Sequence, residues 1–246
     1  MSDLATTAID LFNLIELIRP WQMASDTKVR IGGYSDGGYV MPGITRKSNR
    51  VLSIGIGNQV SFDDDLIGQG ALVYQFDHTI EDTPSRHRNA TFFRKGWGPR
   101  DDGNFLSLHS MMALMDWEGA RHPVLKFDTE GAEWSCLAHA APEDLNRFDV
   151  LVGEFHGLDL IRNRQSFDTA VQIFSKLAAS HRCIHIHGNN TAGFTNISGV
   201  PFPRVMELTF VKKDITAFFG FSNEPIPGPL DAPNDHKSAD LYLRAF

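Results

Sequence analysis

A chain of 246 residues with 42% apolar and 22% charged residues has the size and composition of one α/β domain with a substantial core. The net charge of −7 and the lack of a Lys/Arg block argue against nucleic acid as a partner, because phosphate backbones call for a basic surface. No apolar run approaches the roughly 20 residues of a membrane span, which leaves a small molecule or a glycan as the expected partner; nothing in the sequence reports oligomeric state.

Leu11, Leu14, Ile15 and Ile18 follow helical spacing, and Pro20 ends that helix. Asp3, Asp10 and Glu16 stand where a secretory leader carries positive charge, and no small-residue cleavage site follows. Cys136 and Cys183 are far apart, lie in apolar surroundings and lack redox or metal spacing. Reduced thiols and a cytoplasmic location are therefore expected.

Residues 28–42 read as a hairpin around the turn Gly32-Gly33-Tyr34-Ser35-Asp36-Gly37-Gly38, or as a loop that approaches a ligand closely. Residues 51–57 form a continuous apolar run, which indicates a strand buried on both faces, as in a parallel sheet. Ser61 is placed to cap a helix at Phe62, with Asp63, Asp64 and Asp65 in its first turn. A strand over 71–76 ends in Asp77-His78. A short helix over 81–88 then leads to a strand over 90–94, a glycine-rich loop over 95–104, a helix over 106–115 and a strand over 123–127. The next elements are a helix over 132–139 and a strand over 148–154. Ser166 is expected to cap the following helix, whose apolar face carries Phe167, Ala170, Val171, Phe174, Leu177 and Ala178. Strand-like runs cover 183–187, 205–211 and 215–221.

This alternation implies a doubly wound, mostly parallel sheet in a single domain. Its parts are an amino-terminal helix within 1–27, a glycine-rich hairpin (28–50), a Rossmann-like core (51–222) and a proline-rich tail (223–246). The two late strands lack a helical connection and imply an antiparallel hairpin at one edge.

Ile54-Gly55-Ile56-Gly57-Asn58, with Asp77 about twenty residues on, is the layout of an adenosine-binding βαβ unit. Gly55 and Gly57 allow close backbone approach, and Asp77 is placed to accept from ribose hydroxyls. Dinucleotides and S-adenosylmethionine both fit this outline. Val60 stands where a third glycine would be, and Asp63, Asp64 and Asp65 crowd the helix start that a pyrophosphate would face. The charges favour S-adenosylmethionine, which is cationic and carries no phosphate.

Asp36-Gly37-Gly38-Tyr39-Val40, Leu52-Ser53-Ile54-Gly55-Ile56-Gly57 and Leu125-Lys126-Phe127-Asp128-Thr129-Glu130-Gly131-Ala132-Glu133-Trp134 together resemble the FkbM-type and Methyltransf_22-type S-adenosylmethionine-dependent methyltransferases. His185-Ile186-His187-Gly188-Asn189-Asn190 and Leu230-Asp231-Ala232-Pro233-Asn234 add to the likeness, which spans residues 28–246. The resemblance implies a class I methyltransferase fold of seven strands and O-methyl transfer, often to sugars or glycans. Ser53 departs from the acid common at its position, and Asp36 is a candidate to anchor the methionine ammonium in its place. The candidate cofactor residues are thus Asp36, Gly38, Gly55, Gly57, Asn58, Asp77 and Asp128.

A sugar hydroxyl needs a base, or a metal that lowers its pKa. Candidates lie at the strand ends: Asp128 and Glu130, then Glu154 and His156, then His185, His187 and Asn189. In one mechanism His156 or His187 is the base and acts with Asp128; His185 is expected on the opposite face of its strand. In the other, Asp128, Glu154 and His187 hold Mg or Mn. Glu133 reads as a helix-start residue. Trp97, Phe105, Trp117 and Phe194 are candidates to stack on a sugar ring. A metal-dependent hydrolase using Asp128, Glu154, His156 and His187 is an alternative, as is a non-catalytic S-adenosylmethionine-binding protein.

Overall fold

The structure is a computed structural model that describes residues 5–244 and 246; Asp3 lies outside the described residues. The elements in chain order begin with α1 (Ala8–Ile18), β1 (Trp21–Met23), β2 (Lys28–Ile31), β3 (Tyr39–Pro42), β4 (Arg50–Ile54), α2 (Ser61–Gly68), β5 (Leu72–Phe76), β6 (Ala90–Phe93), β7 (Gly96–Trp97) and β8 (Phe105–Leu106). Next come α3 (Leu108–Ala113), β9 (Val124–Phe127), α4 (Glu133–His139), α5 (Pro142–Leu145), β10 (Val150–Phe155) and α6 (Arg164–Ser180). The last are β11 (His181–Gly188), β12 (Phe194–Ile197), β13 (Val200–Pro203), β14 (Met206–Lys212) and β15 (Phe218–Phe221).

Seven strands form the central sheet in the order β11-β14-β10-β9-β4-β5-β6. β6, β5, β4, β9 and β10 run parallel, and β14 lies antiparallel between β10 and β11. This is a Rossmann-like, mostly parallel α/β sheet with an antiparallel edge. The partner at that edge differs from expectation. The 205–211 run pairs with β10 and β11, whereas the 215–221 run leaves the sheet and pairs with β1. Phe218 and Phe221 pack there against Trp21.

The two faces of the sheet differ in chemistry. One is apolar along its length: Leu52, Ile54, Leu125, Phe127, Leu151 and Phe155 join Leu11 and Leu14 of α1, Leu137 of α4 and Phe174 of α6. At about 25 cal/mol per Å² of buried apolar surface, this face carries most of the hydrophobic stabilisation. The other is covered by α2 and the β2–β3 hairpin and begins with Val51, Val73, Val124 and Val150. Because side chains alternate along a strand, the same face then carries buried polar groups: Ser53, Gln75, Lys126, Glu154, Glu207, Thr209, His185 and His187. The site is built on this face, toward the carboxyl ends of the parallel strands.

Three local expectations need correction. Residues 81–88 form bends and turns and no helix. Ser61 does not cap α2: its Oγ accepts from Gly33 N–H at 3.0 Å and donates to the Gly37 carbonyl, tying the helix start to the glycine turn. The cap of α6 is Asn163, whose Oδ1 accepts from the N–H groups of Gln165 and Ser166; Ser166 is already inside the helix. The 189–203 loop contains the β12–β13 hairpin. Among the described residues, no helix is long and apolar enough to cross a membrane.

Candidate active site

A cavity of about 330 Å³ opens at the carboxyl ends of β4, β5 and β9. Its floor is the β4 turn. Gly55 is required there twice over: its φ is +71°, and a Cβ would stand 1.7 Å from the Asp128 carbonyl oxygen. The chain therefore passes directly over the end of β9. Gly57 (φ +46°) donates its N–H to Asp77 Oδ2 at 2.8 Å. Asp77 Oδ1 accepts from both the N–H and the hydroxyl of Thr79, at 2.7 and 2.6 Å. Burial alone would raise the Asp77 carboxyl; these bonds outweigh it and hold it below the usual carboxylate range. Asp77 thus braces the glycine turn while lining the cavity.

Ile54, Ile56, Phe76, Trp97 and Phe105 supply the apolar wall. Trp97 is buried, and its indole N–H has no partner. The polar wall carries Asp36, Asp77, Asp128 and Glu130, set against Lys126 and His78. Lys126 Nζ is buried beneath the floor and donates to the Gly55 carbonyl at 2.8 Å. Of the expected cofactor residues, Asp36, Gly55, Gly57, Asp77 and Asp128 line the cavity. Gly38 and Asn58 do not; their neighbours Gly37 and Gln59 do. Gly38 packs inside the hairpin turn, where a Cβ would stand 2.0 Å from the Gly33 carbonyl oxygen.

The three aspartates of α2 do not face this cavity. Asp63 is buried and accepts from Gln75 at 2.6 Å, Asp64 accepts from Ser85, and Asp65 accepts from Gly32 N–H. The charge argument against a pyrophosphate therefore rests on other acids, those of the cavity wall.

Beside the cavity, the ends of β9 and β10 bring four carboxylates to one imidazole. His156 Nε2 lies 3.7 Å from Asp128 Oδ1, 3.5 Å from Glu130 Oε2 and 3.4 Å from Glu154 Oε2. Its Nδ1 lies 3.3 Å from Glu133 Oε1. Burial disfavours the imidazolium, but the bond to Glu133 and the charges of Glu133, Asp128 and Glu130 outweigh it and raise the His156 pKa. Burial pushes Glu154 well above the carboxylate range, and its neighbours Asp128 and Glu207 push it further. Asp128 is raised chiefly by burial, with Glu130 and Asp36 adding to this and Lys126 opposing it. Asp128 Oδ1, Glu154 Oε1 and the Tyr39 hydroxyl are buried without a partner. Burial, with Glu154 and Asp128 close by, holds the Tyr39 phenol well above its usual pKa.

His187 belongs to a different cluster. Its Nδ1 lies 3.1 Å from Glu207 Oε2 and its Nε2 3.1 Å from both oxygens of Asp240, in the carboxyl-terminal tail. Burial would lower its pKa, but the two carboxylates outweigh it and push it up to about 10. Both nitrogens are thus committed, and His156 is the imidazole that meets Asp128 and Glu154. His185 does not face away from His187: two residues apart in a strand, both point to one face, and His185 Nε2 meets Asp231 of the tail at 2.8 Å. Asn189 donates to Glu154 Oε2 at 3.4 Å. Among the aromatic candidates, Trp97 and Phe105 line the cavity, Trp117 packs on Phe148, and Phe194 is exposed on β12.

The sequence pattern assigns no role to Lys126, Tyr39 or Glu207. The signal for Lys126 is a lysine inside a continuous apolar strand, and that for Tyr39 is its place in the motif 36–40; Glu207 carries none, because its importance depends on the packing of β14 beside β10 and β11.

No protein-family model and no curated protein sequence matches the chain. Solved structures with local likeness include a putative hemolysin from Streptococcus thermophilus, at 13% identity and TM-score 0.38, covering 73% of this chain and 72% of that one. The bifunctional kinase-methyltransferase WbdD matches at 12% identity and TM-score 0.34, over 88% of this chain and 40% of that one. The RNA-capping protein VP4 of bluetongue virus matches at 13% identity and TM-score 0.34, over 56% of this chain and 24% of that one. This chain therefore spans less than half the length of the latter two. At this level of likeness, fold and activity rest on the chain's own residues.

Proposed function

We propose that the protein is an S-adenosylmethionine-dependent methyltransferase acting on an oxygen of a hydroxylated acceptor, of which sugars and glycans are the class we favour. The observation that carries the reading is the lining of the cavity. A glycine turn and apolar side chains suited to an adenosine line it together with Asp36, Asp77, Asp128 and Glu130. Such a lining opposes phosphates and favours a sulfonium and an ammonium. The unpaired Trp97 N–H offers a donor to the base.

In the transfer, a lone pair of the acceptor hydroxyl forms the new C–O bond at the methyl carbon. The C–S bond breaks with its electrons going to sulfur, which becomes a neutral thioether. The hydroxyl proton must leave, and the cluster of His156, Asp128, Glu130 and Glu154 adjoins the cavity to receive it. Most of the rate would come from holding the two reactants in line.

Isothermal titration with S-adenosylmethionine, S-adenosylhomocysteine and NAD tests the cofactor. Binding of the first two and not the third is expected; NAD binding without S-adenosylmethionine binding overturns the reading. Transfer of a labelled methyl group to a panel of sugars and glycans then tests the acceptor class. Labelling of a nitrogen acceptor alone would contradict O-methylation.

A further inference from the structure

We propose that Asp128, Glu130 and His156, with Glu154 adjoining the imidazole, form a divalent-cation site of the manganese class. This deepens the reading of the same site: the catalytic consequence rests on methyl transfer, whereas binding of the cation does not.

The geometry is that of several ligands turned toward one point. His156 Nε2 makes no short hydrogen bond. It stands at 3.4, 3.5 and 3.7 Å from oxygens of Glu154, Glu130 and Asp128. One ligand atom each from Asp128, Glu130 and His156 falls within a mutual 4.8 Å. Two ligands bound to one ion at about 2.1–2.2 Å, and about 90–110° apart, stand about 3.0–3.5 Å from each other. An imidazolium held by one carboxylate would instead sit close to that one oxygen.

A second observation concerns groups that lack partners. Glu154 is 2% exposed, its Oε2 faces His156 and its Oε1 has no hydrogen-bond partner. Asp128 Oδ1, one of the three oxygens around Nε2, is also buried and unpartnered. Buried carboxylate oxygens without partners are costly. A cation held at His156 Nε2 would meet the need of Asp128 directly and offset the charge of Glu154 beside it. Lys126, the cation beneath the floor, is committed to the Gly55 carbonyl.

The imidazole is set up from behind. Glu133 Oε1 adjoins Nδ1 at 3.3 Å and also accepts the His156 backbone N–H at 2.7 Å. A carboxylate on one ring nitrogen orients the other toward a metal. Glu130 reaches the cluster because its backbone is left-handed, with φ +53°. Such a conformation is uncommon for a residue with a side chain and clusters at functional sites. Two carboxylates and one imidazole, with a third carboxylate beside the imidazole, form a mainly oxygen set with one nitrogen, which suits Mn more than Mg or Ca. A cation here would lie beside the methyl-donor cavity and would lower the pKa of an acceptor hydroxyl bound to it.

The test is Mn²⁺ binding by the 246-residue chain, measured by isothermal titration and by pulsed electron paramagnetic resonance, with S-adenosylhomocysteine binding measured on the same samples. One Mn²⁺ per chain and a ¹⁴N coupling from a bound imidazole are expected. Glu130→Gln should weaken Mn²⁺ binding about 10-fold or more, and His156→Ala should remove the ¹⁴N coupling. Glu133→Gln should weaken binding about 10–100-fold while the coupling persists. Glu130 is exposed, so its variant keeps the test valid if His156→Ala fails to fold. No Mn²⁺ binding at millimolar concentration, binding without ¹⁴N coupling, or binding unchanged by Glu130→Gln would each overturn the proposal. Absence of Mn²⁺ binding in the unaltered chain, with S-adenosylhomocysteine binding present, rejects the cation site alone.

Discussion

Glu133 Oε1 accepts the backbone N–H of His156 at 2.7 Å while standing 3.3 Å from the same residue's Nδ1. Its other oxygen accepts from the Thr129 hydroxyl and the Gly131 N–H, at 2.9 and 2.8 Å. One buried carboxylate thus locks the end of β9 to the end of β10. Trp134, the next residue of α4, adds a bond from its indole N–H to the His156 carbonyl at 2.7 Å.

Glu133→Gln should therefore cost stability as well as activity. An amide has one acceptor oxygen, so its NH₂ must face either the donors at the β9 turn or the donors of His156. An unsatisfied buried donor costs about 1–3 kcal/mol. Denaturant unfolding should show a loss in that range, with an unchanged slope. A fully stable Glu133→Gln protein would mean that this carboxylate does not join the two strand ends.

Gly55→Ala should damage the cofactor cavity more than the sheet. The added Cβ would meet the Asp128 carbonyl oxygen at 1.7 Å, and φ +71° is strained for any side chain. The β4 turn must lift away from β9, breaking the cavity floor. S-adenosylhomocysteine affinity should fall at least about 10-fold, and the melting temperature should drop by several degrees, as about 1–3 kcal/mol of strain implies. Gly57→Ala offers a comparison, since no atom lies within 4 Å of its Cβ position and only the backbone angle opposes it.

The sheet and most helices were legible because continuous apolar runs and 3.6-residue spacing survive in the sequence of this chain. Asp77, Gly55 and Asp128 were legible for a similar reason: each sits at a strand end that the pattern marks. Other features depended on contacts remote in sequence. Ser61 has the chemistry of a cap, yet Gly33 and Gly37 of the hairpin claim its hydroxyl. Asp63, Asp64 and Asp65 look like a helix-start cluster, yet Gln75, Ser85 and Gly32 draw them to separate places. His156 and His187 were equivalent by type and by strand position. The tail distinguishes them, because Asp240 folds back onto His187 across 53 residues.

Asp128→Asn should lower methyl transfer by about 10²-fold or more if this carboxylate takes part in activating the acceptor. The cofactor should bind more weakly, through the loss of one carboxylate, but still saturate, because the glycine turn, Asp77 and the apolar wall are untouched. Single-turnover assays with saturating S-adenosylmethionine separate the two effects. Unchanged turnover in Asp128→Asn would remove Asp128 from the chemistry.

The tail provides a prediction in pH. His187 is protonated between Glu207 and Asp240, with its pKa pushed up to about 10, against an unfolded value of about 6.5. A raised folded pKa contributes stability that is fully present below the unfolded value and lost as pH rises through the folded one. The bond that holds 240 to the sheet should therefore be intact at neutral pH and weaken as pH approaches about 10. Leu241 and Leu243, buried beside it, would loosen with it. Thermal unfolding measured from pH 6 to pH 10.5 should show a fall above neutrality that is smaller in His187→Gln, which has no proton to lose. Equal pH dependence in the two proteins would assign the alkaline loss to other groups and free the tail from this ion pair.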